Sequence, residues 1–114
     1  MSRLDYAAIR QRIPIRCVLL LIRYQPACRN GQQWRGPCPL PDCTPSAGTS
    51  LDRSFSIDVR RHLFHCFRCE RSGNQLDFWT HVTGLKLYPA TLDLCRRLSI
   101  TPVVLPDPQP PNRN

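Results

Sequence analysis

Cys66-Phe67-Arg68-Cys69, preceded far upstream by Cys38-Pro39-Leu40-Pro41-Asp42-Cys43, decides how this 114-residue sequence is read. Two residues separate the cysteines of the later knuckle, four those of the earlier one, and twenty-two lie between the pairs. Zinc takes a tetrahedral shell of thiolate and imidazole ligands, and a two-residue gap lets a tight turn aim both sulfurs at one point. Cys38, Cys43, Cys66 and Cys69 therefore read as the ligands of one Zn²⁺. Four protein ligands leave no place for an activated water, so the site is expected to be structural. His62 and His65 stand close enough in sequence to Cys66 to be alternatives to Cys43, at the cost of a less regular geometry. Asp42 is a weaker one.

Around the later knuckle the pattern is a hairpin. Phe55 and Ile57 alternate with Ser54, Ser56 and Asp58, the mark of a half-buried strand. Arg60-Arg61 marks a turn, and His62-Leu63-Phe64-His65 returns as the partner strand that delivers Cys66 and Cys69. Asn30-Gly31 is a turn signal. A short strand over 32–36 then leads into the first knuckle, and residues 44–50 read as loop.

Helices flank this centre. Residues 5–24 read as helix interrupted near Pro14, which opens a second helix with Ile15, Val18, Leu19 and Ile22 on one apolar face. Ser72-Gly73-Asn74 offers capping chemistry to a helix carrying Leu76, Phe78, Trp79 and Val82, which Gly84 ends. Pro89 opens a last helix with Ala90, Leu94, Cys95 and Leu98 facing inward. The fold class is thus small α+β: a zinc ribbon with N- and C-terminal helices. Residues 1–13 are a helical lead-in, 14–101 the zinc-binding unit, and 102–114 a Pro-rich tail expected to be extended and disordered. A core of this size is modest, and structural zinc supplies roughly 10–16 kcal/mol of binding energy that is largely folding energy.

Composition narrows the partners. Net charge is +8, and all but one of the 16 basic residues are Arg, whose planar fork suits phosphates and stacking on bases. Nucleic acid is the commonest acidic partner, set against a basic surface that is merely solvated. Seven cysteines, an odd number, argue against a fully paired disulfide framework. Cys17, Cys28 and Cys95 have no partner at ligand spacing and read as small buried hydrophobes. The apolar run from Cys17 to Ile22 is short and lies between Arg16 and Arg23, so neither a leader nor a membrane span is expected. The expected location is cytoplasmic, where clustered cysteines bind metal more often than they pair.

The runs Trp34-Arg35-Gly36-Pro37-Cys38-Pro39-Leu40, Ser54-Phe55-Ser56-Ile57, Phe64-His65-Cys66-Phe67-Arg68-Cys69 and Ser72-Gly73-Asn74-Gln75-Leu76-Asp77-Phe78 resemble the zinc-binding domain of bacterial DnaG-type DNA primases. The likeness extends into Leu87-Tyr88-Pro89-Ala90 and back to Pro14. It implies a Cys-His-Cys-Cys site. Pro41 stands where that family keeps its His, and Cys43 is the substitute. The resemblance also implies a reader of single-stranded template DNA. Single strands are held by basic residues on the backbone and aromatic faces under the bases. Trp34, Phe64 and Phe67, interleaved with Arg35, Arg53, Arg60, Arg61, Arg68 and Arg71, are the candidate contacts; each aromatic reads equally well as core. Primer synthesis needs clustered carboxylates on Mg²⁺, and eight scattered acids offer none, so this chain is not expected to be an enzyme. The expected partners are single-stranded DNA and a primase polymerase subunit, helicase or other replication or transposition protein. The competing reading is a protein-interaction module, or the zinc-binding subunit of a split primase.

Overall fold

Alternation of apolar and polar residues at Phe55–Asp58 and Leu63–Cys66 produces the centre of the molecule. The computed structural model describes residues 3–41, 43 and 53–105. Five strands, β1 (Cys28–Asn30), β2 (Gln33–Gly36), β3 (Phe55–Asp58), β4 (Leu63–Cys66) and β5 (Ser72–Asn74), pair antiparallel in sequence order. Helices α1 (Tyr6–Arg12) and α2 (Ile15–Leu21) precede the sheet, and α3 (Gln75–Thr83) and α4 (Leu87–Arg97) follow it. Side chains on a strand alternate between faces. One face therefore sends Phe55, Ile57, Phe64 and Cys66 into a core shared with Ile9, Ile13, Ile15, Val18, Phe78 and Leu94. The opposite face carries Arg35, Ser56, His65 and Ser72 in one row across four strands.

The helix ends follow their local chemistry. Asp5 caps α1 through its carboxylate, which accepts from Ala8 N–H. Asn74 opens α3 with a full capping box: its side chain accepts from Leu76 and Asp77 N–H while Asp77 accepts from Asn74 N–H. Gly84 closes α3 at φ 75°, a left-handed backbone that glycine adopts freely. Pro14 is the cap of α2. The last helix starts at Leu87, two residues before Pro89. Pro is tolerated there because the N–H groups of a first turn have no intrahelical partner. The buried Gln75 side chain donates to the carbonyls of Arg10 (2.9 Å) and Ile13 (2.7 Å), tying α1 to α3.

Two expectations change. His62 lies in the β3–β4 turn at φ 59°, one residue before the strand begins, and its Nδ1 accepts from Ile15 N–H at 3.0 Å. The segment expected to be free from residue 102 docks instead. Val103 carbonyl accepts from Asp5 N–H at 2.8 Å, Leu105 N–H donates to Arg3 carbonyl at 2.7 Å, and Val104 bridges Leu4. Val103-Val104-Leu105, lying between Pro102 and Pro106, keep their N–H groups for this pairing; Val103 packs against the core, while Val104 and Leu105 stay exposed. The expectations for residues 44–50 and 106–114, and Asp42, lie outside the described residues.

Helix α4 is pinned by charge as well as by packing. Asp93 accepts from Trp79 Nε1–H at 2.9 Å, from Arg96 at 2.7 Å and from Arg97 at 2.8 Å. The Arg97 and Trp79 hydrogen bonds, against the opposing effect of burial, hold its carboxyl down at about 2. An unfolded Asp titrates near 3.9, so the stabilisation is fully present above about pH 4 and is lost as pH falls through 2. Both arginines are largely exposed, which screens the pairs. Asp93→Asn is expected to cost roughly 1 kcal/mol. Because the titration lies so low, urea unfolding at pH 8 and pH 5.5 should give the same difference from wild type. A difference that shrinks by pH 5.5 would refute the assignment.

Candidate metal centre

The knuckles are shaped by backbone hydrogen bonds. Strand β4 ends on Cys66, and the chain turns so that the N–H groups of Arg68 and Cys69 both point at Cys66 Sγ at 3.4 Å. Glu70, at φ 64°, completes the turn, with its N–H on Cys66 carbonyl at 2.8 Å. Phe67 N–H donates to Ser54 carbonyl at 2.7 Å, fastening the knuckle to the residue before β3. In the first knuckle Cys43 N–H donates to Leu40 carbonyl at 3.1 Å, and the Leu40 side chain is buried in the core.

These turns bring four sulfurs together. The Sγ atoms of Cys38, Cys43, Cys66 and Cys69 all lie within 4.8 Å of one another, and Cys43 Sγ and Cys66 Sγ are 3.8 Å apart. A tetrahedron with Zn–S bonds of about 2.3 Å has edges of about 3.8 Å. Neither His62 nor His65 joins the cluster. Cys43 and Cys66 are buried, Cys38 and Cys69 half-buried. Burial pushes the Cys38 and Cys43 thiols up. At Cys66 burial also raises the thiol, but the Cys69 and Arg68 N–H groups outweigh it and bring it down to about 7. Arg68 Nη1 approaches Cys43 Sγ at 3.8 Å, where its charge offsets the negative charge that four thiolates accumulate around a divalent ion.

A closed cluster of four cysteines on two knuckles, carried by antiparallel strands, defines a zinc ribbon with one structural zinc. The family model of the CHC2 zinc finger, the DnaG zinc ribbon, matches residues 2–107, and the chain belongs to that family. It is 29% identical over 92 residues to a DNA primase of Synechocystis sp., covering 81% of this chain and 13% of that protein. It also resembles the crystal structure of the Aquifex aeolicus primase zinc-binding and RNA polymerase domains, with TM-score 0.63 and 27% identity. That match covers 87% of this chain and 22% of the other. The likeness is to the zinc-binding part and not to the catalytic part. Among the described residues no helix is long and apolar enough to cross a membrane.

The candidate nucleic-acid residues do not form one surface. Phe67 is 58% exposed beside the knuckle. Its ring meets the His65 ring edge-on at 4.4 Å, and the Arg35 guanidinium sits 5.2 Å from its centroid. Arg35 is held there by donating through Nε and Nη2 to Arg53 carbonyl at 3.1 and 2.7 Å. His65, a candidate metal ligand in the sequence, belongs instead to this cluster, as its alternation with the inward Phe64 and Cys66 requires. Arg68 lies against the cysteines and Arg71 is half-buried beside them. Arg60 and Arg61 are exposed at the other end of the hairpin, where Asp58 accepts from both of their N–H groups at 3.1 and 3.0 Å. Trp34 pairs in register with Ile57 on the opposite face and carries Arg29 4.5 Å from its ring centroid. Phe64 is corrected: at 3% exposure, with Phe55 and Phe78 ring centroids at 5.8 and 5.2 Å, it belongs to the core and offers no face to a base.

Proposed function

We infer that this chain is a non-catalytic template-binding module that holds single-stranded DNA in replication or a mobile-element context, with Cys38, Cys43, Cys66 and Cys69 as the ligands of its zinc. The observation that carries the reading is the outward cluster of Arg35, His65 and Phe67 beside the knuckle. An exposed ring next to fixed guanidinium charge is what an unpaired base and its phosphate require. Membership of a primase zinc-ribbon family favours DNA over other anions, and the net charge of +8 favours capture of a polyanion. Arg53, Arg68 and Arg71 add positive charge near the knuckle, and Arg60 and Arg61 add it at the far end of the hairpin, as candidate backbone contacts outside the Phe67 cluster. Zinc acts here as a brace: it fixes the turn from which Phe67 projects and takes no part in a reaction.

The zinc-loaded protein is expected to bind short single-stranded oligonucleotides at low salt, with log K falling linearly in log salt at a slope of about −0.7 per phosphate contact. Fluorescence anisotropy reads this directly. Phe67→Ala should weaken binding by about 1–3 kcal/mol, the value of one stacked base, and leave the slope unchanged. Arg35→Gln should also lower the slope by about one contact. Absence of salt-dependent binding, or identical binding by Phe67→Ala, would sink the reading.

A further inference from the structure

At the end of the β3–β4 hairpin remote from the cysteines, a cavity of about 230 Å³ opens between α1, β4, β5 and the start of α3. Arg10, Arg61, His62, Asn74 and Gln75 contribute to its wall, and no Asp or Glu does. Arg10 Nε is buried and has no hydrogen-bond partner, the only such side-chain nitrogen or oxygen among the described residues. Buried donors in native proteins are almost always satisfied, by water or an ion where protein offers nothing. His62 uses Nδ1 to accept from Ile15 N–H, so the ring's donor is Nε2–H. Asp58, the acid nearest in sequence to Arg61, has its Oδ1 engaged by the N–H groups of Arg60 and Arg61. Asp77 accepts from Asn74 N–H in the α3 cap.

We propose that this cavity is a phosphate-binding site, with Arg10 and Arg61 supplying charge-assisted donors and His62 a neutral one. Two arginines lining one cavity without a carboxylate favour an anion there, and a tetrahedral oxyanion satisfies several N–H donors at once. The volume is several times the roughly 30 Å³ share of one water, so a phosphate group fits. Water alone would satisfy Arg10 Nε but would bring no negative charge to the two arginines. Leu63 and Cys66 are the two ends of β4, about 10 Å apart along a strand. The site is therefore separate from the Phe67 cluster, and it does not depend on that cluster's binding DNA.

The test is a ¹H–¹⁵N titration of the zinc-loaded chain with sodium phosphate, ionic strength held constant with sodium chloride. Saturable shifts confined to the amides of Arg61, His62, Leu63 and Asn74 and to Arg10 Nε–H are expected. Arg10→Gln and Arg61→Gln should each weaken the response about tenfold, the scale of one charge-assisted hydrogen bond, with zinc content and the remaining spectrum unchanged. Shifts that are absent, spread over all arginines, or unchanged from wild type in both variants would overturn the proposal. Competition with 5′-phosphorylated and 5′-hydroxyl oligonucleotides then identifies the source. Equal displacement assigns the site to the phosphodiester backbone, and preference for the phosphorylated strand assigns it to a terminal monoester.

Discussion

Cys43→Ser is expected to lower zinc affinity by roughly 10²–10³-fold and to leave the metal-free chain largely unfolded. Structural zinc contributes about 10–16 kcal/mol, or about 2.5–4 kcal/mol per ligand if shared evenly over four thiolates. Cys43 is the informative ligand because Pro41 occupies the position where the resemblance places a histidine. The geometry makes Cys43 a candidate for the fourth position: it is 6% exposed and its Sγ is 3.8 Å from Cys66 Sγ. Among the described residues neither histidine considered for that position joins the cluster. His65 turns its ring to Phe67 on the outward face, and His62 is engaged with Ile15. Competition with a chromophoric chelator gives the affinity, and far-ultraviolet circular dichroism before and after chelation gives the coupling to folding. Wild-type affinity in Cys43→Ser would remove it from the ligand set. A chain that keeps its fold after chelation would show that the core, and not the metal, holds the ribbon together.

The parts legible in the sequence are those where one physical signal dominates locally. The Cys66–Cys69 spacing, the alternation of Phe55 to Asp58, and the Asn74 and Gly84 ends of α3 all appear as read. What escaped depends on partners distant in the chain. Strand β5 is Ser72-Gly73-Asn74, with no apolar residue to advertise it; it forms because β4 presents an open ladder beside it. Gly73, at φ 150°, passes so close to Asp77 that any Cβ would strike that carboxylate, so the segment read as a cap is both cap and edge strand. Strand β1 is likewise polar and exists by pairing with β2 across the two-residue turn Gly31-Gln32. Residues 103–105 read as tail because prolines flank them, yet the carbonyl and N–H groups of residues 3–5 give them a docking edge.

Phe64 and Phe67 make the largest difference between what the sequence left open and what the packing decides. Both are aromatic, three residues apart, and flanked by His or Arg. Phe64 shares strand parity with Cys66, so the same alternation that buries that cysteine buries the ring. Phe67 falls beyond the strand, on the knuckle, and points outward. Phe64→Ala is therefore expected to destabilise the zinc-loaded protein by about 3–5 kcal/mol through the cavity left between Phe55 and Phe78. A small domain is stable by only about 5–15 kcal/mol, so much of its margin is lost. Phe67→Ala should stay within about 0.5 kcal/mol of wild type, since its ring is mostly exposed, while weakening oligonucleotide binding. Urea unfolding and anisotropy on the two variants separate the roles. The packing argument fails if Phe64→Ala keeps wild-type stability yet binds DNA poorly, because the ring would then be acting at the surface.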